Sequence, residues 1–248
     1  MRRLFRSFER FDVEYLLISG QASILYGAAM FSEDIDLWLR PSAANVRGFL
    51  RALATCRARI HKLTPPMTVR NLLAGHGFHF IVPATPLPTY LDIMGQPPRV
   101  GSFSEALRHS RTMKTDWGRV PVVAIPELIA LKRTRRLNDY EVISNLVRVR
   151  LSEVERPGRK LLQWSAANSF RAEDRAEYLN RLGRPASVDQ CRTQVALELV
   201  KHQKRDVRYW HRHLVELRRW RRDGTLWPEG TTVAQILAGG RRVNLRKS

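Results

Sequence analysis

Two acidic residues in an apolar segment are the first candidates for chemistry. Asp34 and Asp36 alternate with Ile35 and Leu37 at the start of the sequence Asp-Ile-Asp-Leu-Trp-Leu. If this segment is a β-strand, the two carboxylates lie on one face and the apolar side chains on the other. Their Cα atoms are then about 6.5 Å apart, at ~3.3 Å rise per residue, within reach of a shared metal ion. The spacing therefore predicts a carboxylate metal site on a rigid strand.

A third acid lies in a later apolar segment. Asp92 sits between Leu91 and Ile93 in Tyr-Leu-Asp-Ile-Met. A carboxylate inside an apolar strand is costly unless it is paired, hydrogen-bonded or bound to metal. Taken with the two earlier acids, Asp92 is predicted to complete the site. For His76 and His79 no third ligand is apparent, so a solvated or hydrogen-bonding role is expected.

The elements around the first two acids are predicted as strand, turn, helix and strand. An apolar strand over residues 13–18 leads into Ser19-Gly20, where glycine is expected to supply a backbone conformation closed to other residues. A helix over 21–26 follows, and its N-terminus presents free N–H groups suited to phosphate. The second strand covers 35–39.

The rest of the pattern predicts alternating helices and strands up to residue 155 and helices alone beyond it. Further strands are expected at 78–82, 89–94, 112–117 and 120–124, and helices at 2–10, 42–53, 69–73, 103–109, 127–136 and, capped by Asn138, 139–151. Pro157-Gly158 interrupts the helical pattern. We therefore predict an α/β (α+β) domain over residues 1–155, a mixed sheet flanked by helices, and a helical C-terminal region over 156–248.

The C-terminal region is predicted to contain a helix over 170–182 and a long basic helix. The long helix is expected to begin at a capping box, Ser187 to Gln190, and to stop at Asp223-Gly224. Apolar residues at three- and four-residue spacing predict an inward stripe, made of Val200, Val207, Trp210, Leu214 and Leu217.

Charge separates this chain from an average globular protein. It has 43 Lys and Arg against 23 Asp and Glu, a net charge of +20 over 248 residues, which favours polyanionic partners such as nucleic acid. The alternative is that a GC-rich genome supplies arginine codons, since 36 of the 43 are arginine. The candidate nucleic-acid contacts are the basic residues of the long helix: Lys201, Lys204, Arg205, Arg208, Arg212, Arg219 and Arg222.

Other classes are excluded by composition. The sequence has no apolar run of ~18 residues that could cross a membrane. The start, Met-Arg-Arg-Leu-Phe-Arg, lacks the apolar core of a signal peptide. Two distant cysteines make neither a disulfide framework nor a zinc site. We expect a cytoplasmic protein with no membrane segment.

Three ordered pieces of the sequence resemble the nucleotidyltransferase superfamily, which has the DNA polymerase β-like fold. They are Ser19-Gly20 followed by Asp34-Ile35-Asp36, the single acid Asp92, and the helix pair from Pro126 through Lys132 to Asp139. The likeness is greatest to the AbiEii-like toxin and minimal nucleotidyltransferase branches and covers about residues 13–150. Members usually have Gly-Gly or Gly-Ser at the turn, so Ser19 departs from the pattern.

The resemblance implies a metal-dependent transfer of a nucleoside monophosphate from an NTP to a hydroxyl. By analogy, Asp34, Asp36 and Asp92 are the catalytic residues and hold two Mg²⁺ (or Mn²⁺) ions. Ser19, Gly20 and Lys132 would bind the triphosphate. Asp139 would orient Lys132 or Arg136 through an ion pair, or serve only in helix packing.

The acceptor and the biological role stay open at this level. The charge favours RNA, such as a tRNA end, with a toxin–antitoxin pair and its partner protein as the setting. Enzymatic alternatives are a nucleotidyltransferase that modifies a protein, or a phosphotransferase that uses the γ-phosphate. The non-enzymatic alternative is a nucleic-acid-binding module on a decayed transferase fold.

Overall fold

The computed structural model describes the backbone of residues 1–243 and the side chains of residues 1–239. The strands are β1 (Tyr15–Ile18), β2 (Asp34–Leu39), β3 (Arg59–Ile60), β4 (Gly77–Val82), β5 (Thr89–Met94), β6 (Arg111–Thr115) and β7 (Gly118–Val122). The helices are α1 (Arg2–Arg10), α2 (Ser19–Leu25), α3 (Ala43–Thr55), α4 (Val69–Leu73), α5 (Phe103–His109), α6 (Ile125–Lys132), α7 (Asn138–Ser152), α8 (Arg159–Asn168), α9 (Ala172–Arg181), α10 (Val188–Arg222) and α11 (Val233–Val243). Within the described chain, no helix combines the length and apolar character needed to cross a bilayer.

The strands form one seven-stranded mixed sheet in the order β3-β4-β5-β2-β1-β7-β6. Pairing is parallel between β2 and β5 and between β1 and β7, and antiparallel elsewhere. Helices flank the sheet and continue into a helical C-terminal region, so the predicted α/β architecture is confirmed.

One face of the sheet is sealed by α1 and α3. Phe49 of α3 packs on Phe8 of α1, with ring centroids 5.5 Å apart, and on Phe80 of β4, at 6.0 Å. Because strand side chains alternate, His79 of the same strand points to the opposite face. The buried Ile35 and the other apolar residues that alternate with the acids of β2 contribute to the same core. The acids therefore project from the face that α1 and α3 leave uncovered.

The edge of the sheet is covered by a segment that the sequence pattern did not predict. The N–H of Ile60 in β3 donates to the carbonyl of Thr231, and the N–H of Val233 donates to the carbonyl of Ala58. Val233, at the start of α11, is fully buried. This pairing satisfies backbone groups of an edge strand that would otherwise be exposed.

Helices α8, α9 and α10 follow one another in packed pairs after α7. The predicted helix over 170–182 is α9, and α8 was missed because it begins directly after Pro157-Gly158, which interrupts the helical pattern. A single hydrophobic core contains buried residues from both sides of residue 155, among them Leu146 and Leu162. The boundary between two domains stays a prediction.

The long helix α10 spans 35 residues and begins at the predicted capping box. Its predicted inward stripe is wrong for Val200, Val207 and Leu214, which are 45%, 52% and 44% exposed. The other two predicted members, Trp210 and Leu217, are half-buried. The inward face carries Val195 and Leu199, which pack on the core, and the buried Asp206, which is 1% exposed. Three-and-four spacing identifies a helix face but does not say whether that face is covered.

Asp206 fastens α10 to the sheet domain through Arg99 and Arg135. Its carboxylate accepts a hydrogen bond from Arg99 Nη1 at 3.0 Å and another from the Arg135 backbone N–H at 3.1 Å. Arg99 also donates to the carbonyls of Ala130 and Leu131 near the end of α6. One guanidinium thus joins α6 to α10.

A second attachment lies near the middle of α10. The Tyr209 hydroxyl donates to the carbonyl of Gly75 at 3.2 Å, and His213 Nε2 donates to the carbonyl of Ala74 at 2.9 Å. Gly75 has a φ of +81°, and an added Cβ would lie 2.3 Å from the Tyr209 hydroxyl. This close approach requires glycine. It connects α10 to the turn that leads into β4.

We expect Asp206→Ala to lower the free energy of unfolding by about 2–4 kcal/mol, because it leaves two arginines without their buried partner. Urea denaturation measures the change. Asp189→Ala is the matched control, since the carboxylate of Asp189 is 87% exposed and pairs only on the surface with Arg192, which is worth about 0–1 kcal/mol. Equal losses in the two variants would contradict the anchoring role of Asp206.

Candidate active site

The three predicted acids lie on adjacent parallel strands. The register of β2 and β5 places Asp36 opposite Asp92 and Asp34 opposite Tyr90. Neighbouring strands are about 4.8 Å apart and side chains at paired positions share a face. The fold therefore brings Asp34, Asp36 and Asp92 together on one face of the sheet, although Asp92 is 56 residues further along the chain than Asp36.

Asp92 has a partner in the next strand. The register of β4 and β5 pairs His79 with Asp92, and His79 Nδ1 donates to Asp92 Oδ1 at 2.7 Å. Burial alone would raise the pKa of Asp92, but the hydrogen bond and positive charge of His79, with a contribution from Lys62, hold it below its usual value. The expected hydrogen-bonding role of His79 is confirmed, and Asp92 is an ionised acceptor.

The absence of a side chain at Gly77 leaves space for the His79 ring. A Cβ at Gly77 would lie 3.3 Å from Nε2 of His79, closer than most side-chain contacts. The two residues share a face of β4 because they are two positions apart. A side chain at Gly77 would push the imidazole away from Asp92.

Asp36 has the opposite electrostatic environment. Burial raises its pKa from 3.8 to about 6, and repulsion from Asp92 and Asp34 adds to the increase. A hydrogen bond from Ser19 and the charge of Lys132 act in the other direction. The folded protein therefore holds a carboxylate whose negative charge is poorly compensated, which a bound cation would relieve.

The Ser19-Gly20 turn differs from its prediction in one respect. The left-handed backbone is at Ser19, with a φ of +58°, and Gly20 is not in that region. Gly20 is required for another reason: an added Cβ would lie 2.2 Å from Oγ and 2.6 Å from Cβ of Ser32. Ser32 is two residues before Asp34, so the glycine allows α2 to pack against the start of β2.

Lys132 is the last residue of α6 and is buried. Its Nζ donates to Asp139 Oδ1 at 3.0 Å, and Thr134 Oγ1 donates to the other carboxylate oxygen. The predicted helix over 127–136 was too long, since it ends at Lys132. Arg136 is exposed, and Asn138 is the first residue of α7 rather than its cap.

A cleft of about 900 Å³ lies over the acids. Ser19, Gly20, Asp34, Asp36 and Asp92 line it together with Lys132, Arg136 and Asp139. All eight residues predicted for the catalytic and nucleotide sites therefore border one cavity.

Helix α10 supplies another wall of the cleft, through Asp206, Trp210 and Leu214. The sequence did not indicate Arg99, Asp206 or Trp210 as site residues. In the sequence, Asp206 is surrounded by basic residues and so did not stand out. The feature that could have indicated it is Trp210 four positions later, since this spacing places both residues on one helix face.

The seven basic residues predicted to bind nucleic acid lie elsewhere. All seven are exposed, and none of them lines the cleft. At about 100° per residue they project roughly 160–260° around the helix from Asp206, away from the cleft wall. Basic side chains that do border the cleft are Lys62, Arg99, Lys132, Arg135 and Arg136.

The carboxylates suit a divalent cation but are not already arranged around one. Within the described part of the chain, no three His, Cys, Asp or Glu side chains converge closely enough to hold a metal ion. Asp92 is turned to His79 instead. Three carboxylates with no thiolate among them are the donor set that Mg²⁺ or Mn²⁺ prefers, and the raised pKa of Asp36 is consistent with a site that gains from a positive ion.

The comparisons with known proteins give nucleotidyltransferase structures. No family model matches the chain, and no curated protein does. The lincosamide antibiotic adenylyltransferase LnuA, solved with lincomycin, is 16% identical, with a TM-score of 0.43 over 60% of this chain and 96% of that one. ANT(2″)-Ia, solved with adenylyl-2″-tobramycin, is 11% identical, with a TM-score of 0.36 over 79% and 94%.

A third structure is a Thermotoga maritima protein described as a nucleotidyltransferase, which is 14% identical with a TM-score of 0.38 over 66% of this chain and 88% of that one. Identities and scores this low do not carry function from one protein to another. The function of this chain must be argued from the arrangement of its own residues.

The pKa of Asp36 gives stability a defined dependence on pH. Since the pKa is raised on folding, the folded state binds the proton more tightly, and stability falls as pH rises from about 4 through 6. Asp36→Asn removes this loss, so we expect it to raise the free energy of unfolding by about 1–2 kcal/mol near pH 7.5 and by less near pH 4. Urea denaturation across this pH range measures it. Asp116→Asn, an exposed acid outside the cleft, should show no such dependence.

The strained backbone of Ser19 gives a second expectation. A non-glycine residue in the left-handed region costs about 1–2 kcal/mol. Glycine avoids this strain, but part of the gain is lost because glycine has more conformational freedom in the unfolded chain. Ser19→Gly should therefore raise the free energy of unfolding by about 0.5–1 kcal/mol, and Arg57→Gly, at an exposed residue with a φ of +57°, should do the same. Ser19→Ala keeps the strain and should not stabilise. Destabilisation by Ser19→Gly alone would show that the serine hydroxyl outweighs the strain.

Proposed function

We propose that the protein is a metal-dependent nucleotidyltransferase that moves a nucleoside monophosphate from an NTP to a hydroxyl group. The observation that supports this most strongly is the placement of Asp34, Asp36 and Asp92 side by side at the floor of a cleft that also contains Lys132. Three carboxylates can hold divalent cations, and a buried lysine can contact phosphate. The arrangement therefore suits a metal-assisted reaction of phosphate groups.

The NTP would lie with its triphosphate between the Ser19-Gly20 turn and Lys132. The ammonium of Lys132 offers a point charge to the phosphates, and Asp139 and Thr134 keep the residue in place. Ser19 and the backbone of Gly20 are within the same cleft and would contact the β- and γ-phosphates. Arg136 is exposed and lines this cleft, so it can reach a phosphate.

The carboxylates would hold two Mg²⁺ or Mn²⁺ ions. Ions bound there would offset the charge of the triphosphate and lower the pKa of the acceptor hydroxyl. In the reaction the acceptor oxygen forms a bond to the α-phosphorus, the bond to the bridging oxygen of the β-phosphate breaks, and pyrophosphate leaves. Asp92 is ionised and can take the proton of the hydroxyl.

The acceptor we propose first is RNA. The net charge of +20 of the whole chain favours an anionic acceptor. The cleft itself is lined by five basic and six acidic side chains, so bound cations would be needed to make it attractive to phosphate groups. An RNA that contacted the seven basic residues of α10 as well would have to pass around that helix, because they face away from the cleft. Localisation in the cytoplasm and membership of a toxin–antitoxin pair remain proposals that no contact in the structure favours.

The decisive experiment follows the label of an NTP. Purified protein with Mg²⁺ or Mn²⁺ is given each NTP labelled at the α- or the γ-phosphate, together with tRNA, total RNA and cell proteins as separate acceptors. We expect label from α-labelled nucleotide to enter RNA, and Asp36→Asn to reduce transfer by about 10³-fold or more. Asp116→Asn is the control for removal of an acid outside the cleft.

Each of the other outcomes of the labelling experiment would indicate a different function. Label on protein instead of RNA would move the acceptor to a protein hydroxyl. Transfer of γ-label would indicate a phosphotransferase at the same acids. Binding of NTP without transfer to any acceptor would contradict the proposed enzyme and favour a non-catalytic binding module.

A further inference from the structure

An exposed apolar stripe runs along the outer side of α10. Leu197, Val200, Val207 and Leu214 are 68%, 45%, 52% and 44% exposed. Isolated exposed aliphatic residues are ordinary, but four of them on one side of a single helix suggest a binding surface. The described structure places no other element over this row.

The spacing of the stripe is that of a helix pairing surface. Its exposed positions recur every three and four residues from 197 to 218. Four of the seven are aliphatic, and the other three, Lys204, His211 and Arg218, lie between and after them on the same face. Such 3-4 spacing keeps one face of a helix in contact with a second helix over several turns. Along the middle of the stripe runs a groove of about 450 Å³, lined by Gln203, Lys204, Val207, Arg208 and His211.

The acidic residues of this part of α10 all turn toward the body of the protein. Glu198 pairs with the buried Arg175 at 2.8 Å, Asp206 is buried against Arg99, and Glu216 lies 3.2 Å from the buried His76. The charged residues left along the stripe and its outer border are therefore basic: Lys201, Lys204, Arg208, Arg218 and Arg222.

We propose that this surface, the outer face of α10 from Leu197 to Arg218, binds an amphipathic helix of a partner protein with an apolar stripe and acidic flanks. The aliphatic residues supply the apolar contact and the basic border supplies complementary charge. A second copy of this chain would instead bring basic residues against basic residues, in a protein with a net charge of +20. RNA would contact the basic residues but would leave the aliphatic residues between them, Val200, Val207 and Leu214, without an apolar partner.

The surface ends at the cleft. Leu214 belongs both to the stripe and to the wall of the proposed active site. A helix bound along α10 would thus border the cleft mouth, in a position to influence which acceptors enter it. Binding itself depends only on the outer face, so it can be tested without any assumption about the reaction.

The test uses the full chain and a synthetic four-heptad peptide with leucine at the a and d positions and glutamate at e and g. Two control peptides replace glutamate with lysine, or leucine with serine. Fluorescence anisotropy should show binding of the acidic leucine peptide that is about tenfold or more tighter than that of either control. Val207 is exposed, so Val207→Glu should leave the core intact. It should weaken binding of the acidic leucine peptide by about tenfold or more.

Val154→Glu is the matched variant, since Val154 is 43% exposed and far along the chain from α10; it should bind the acidic peptide like the unmodified chain. Circular dichroism confirms that both variants are folded. Equal binding of acidic and basic peptides, or no effect of Val207→Glu, would overturn the proposal. An RNA oligomer that displaces the peptide and binds Val207→Glu unchanged would assign the surface to nucleic acid instead. NTP binding by the Val207→Glu variant is measured as well. Loss of peptide binding with NTP binding retained concerns the outer face of α10 and not the proposed function.

Discussion

The parallel pairing of β2 with β5 is the constraint on which the candidate active site depends. It places Asp36 next to Asp92, and the antiparallel β4 then adds His79 at the same level. A slip of one residue would turn the acids into the apolar core and the core residues into the cleft. The register is protected because Leu37 and Ile93, on the other face of the same strands, are fully buried. Packing on one face thus stabilises an electrostatically unfavourable cluster on the other.

The cleft itself depends on how α10 is held. Apolar packing fixes the first turns of this helix, where Cys191 is buried and Val195 and Leu199 contact the core, but most of the helix beyond Val200 is polar and exposed. Asp206 and Arg99 provide a buried ionic attachment, and Tyr209 and His213 add hydrogen bonds to the turn before β4. Trp210 is one helical turn after Asp206, so the same attachment fixes the aromatic wall of the cleft. Arg99 also donates to backbone carbonyls at the end of α6, next to Lys132, which pairs with Asp139.

Much of the sheet domain could be predicted because its local signals agree with its tertiary environment. The strand Thr89–Met94 has the predicted bounds, since its apolar residues alternate and a proline-rich turn precedes it. The acids and Lys132 share one cleft, as the ordered pieces of sequence suggested. What failed depends on distant contacts. Nothing local reveals that Arg99 reaches Asp206, which is 107 residues away, or that the apolar row of α10 faces solvent.

The turn at Ser19 shows the same limit at the scale of a single residue. The sequence marks a turn, and glycine is its usual means of adopting a left-handed backbone. Here the glycine is used for close packing against Ser32, and the serine takes the left-handed conformation. Which of two adjacent residues carries the strain depends on a loop twelve positions later, so the pair alone could not decide it.

Two unfavourable features of the molecule differ in kind and so point to different ligands. At the cleft, strain at Ser19 and the raised pKa of Asp36 are local costs that a cation and phosphate groups can offset. On the outer face of α10 the cost is exposed apolar surface beside uncompensated basic charge, which a small polar ligand cannot cover. The proposed nucleotide and its cations would offset the first feature but not the second. The second requires a partner large enough to bury several turns of helix.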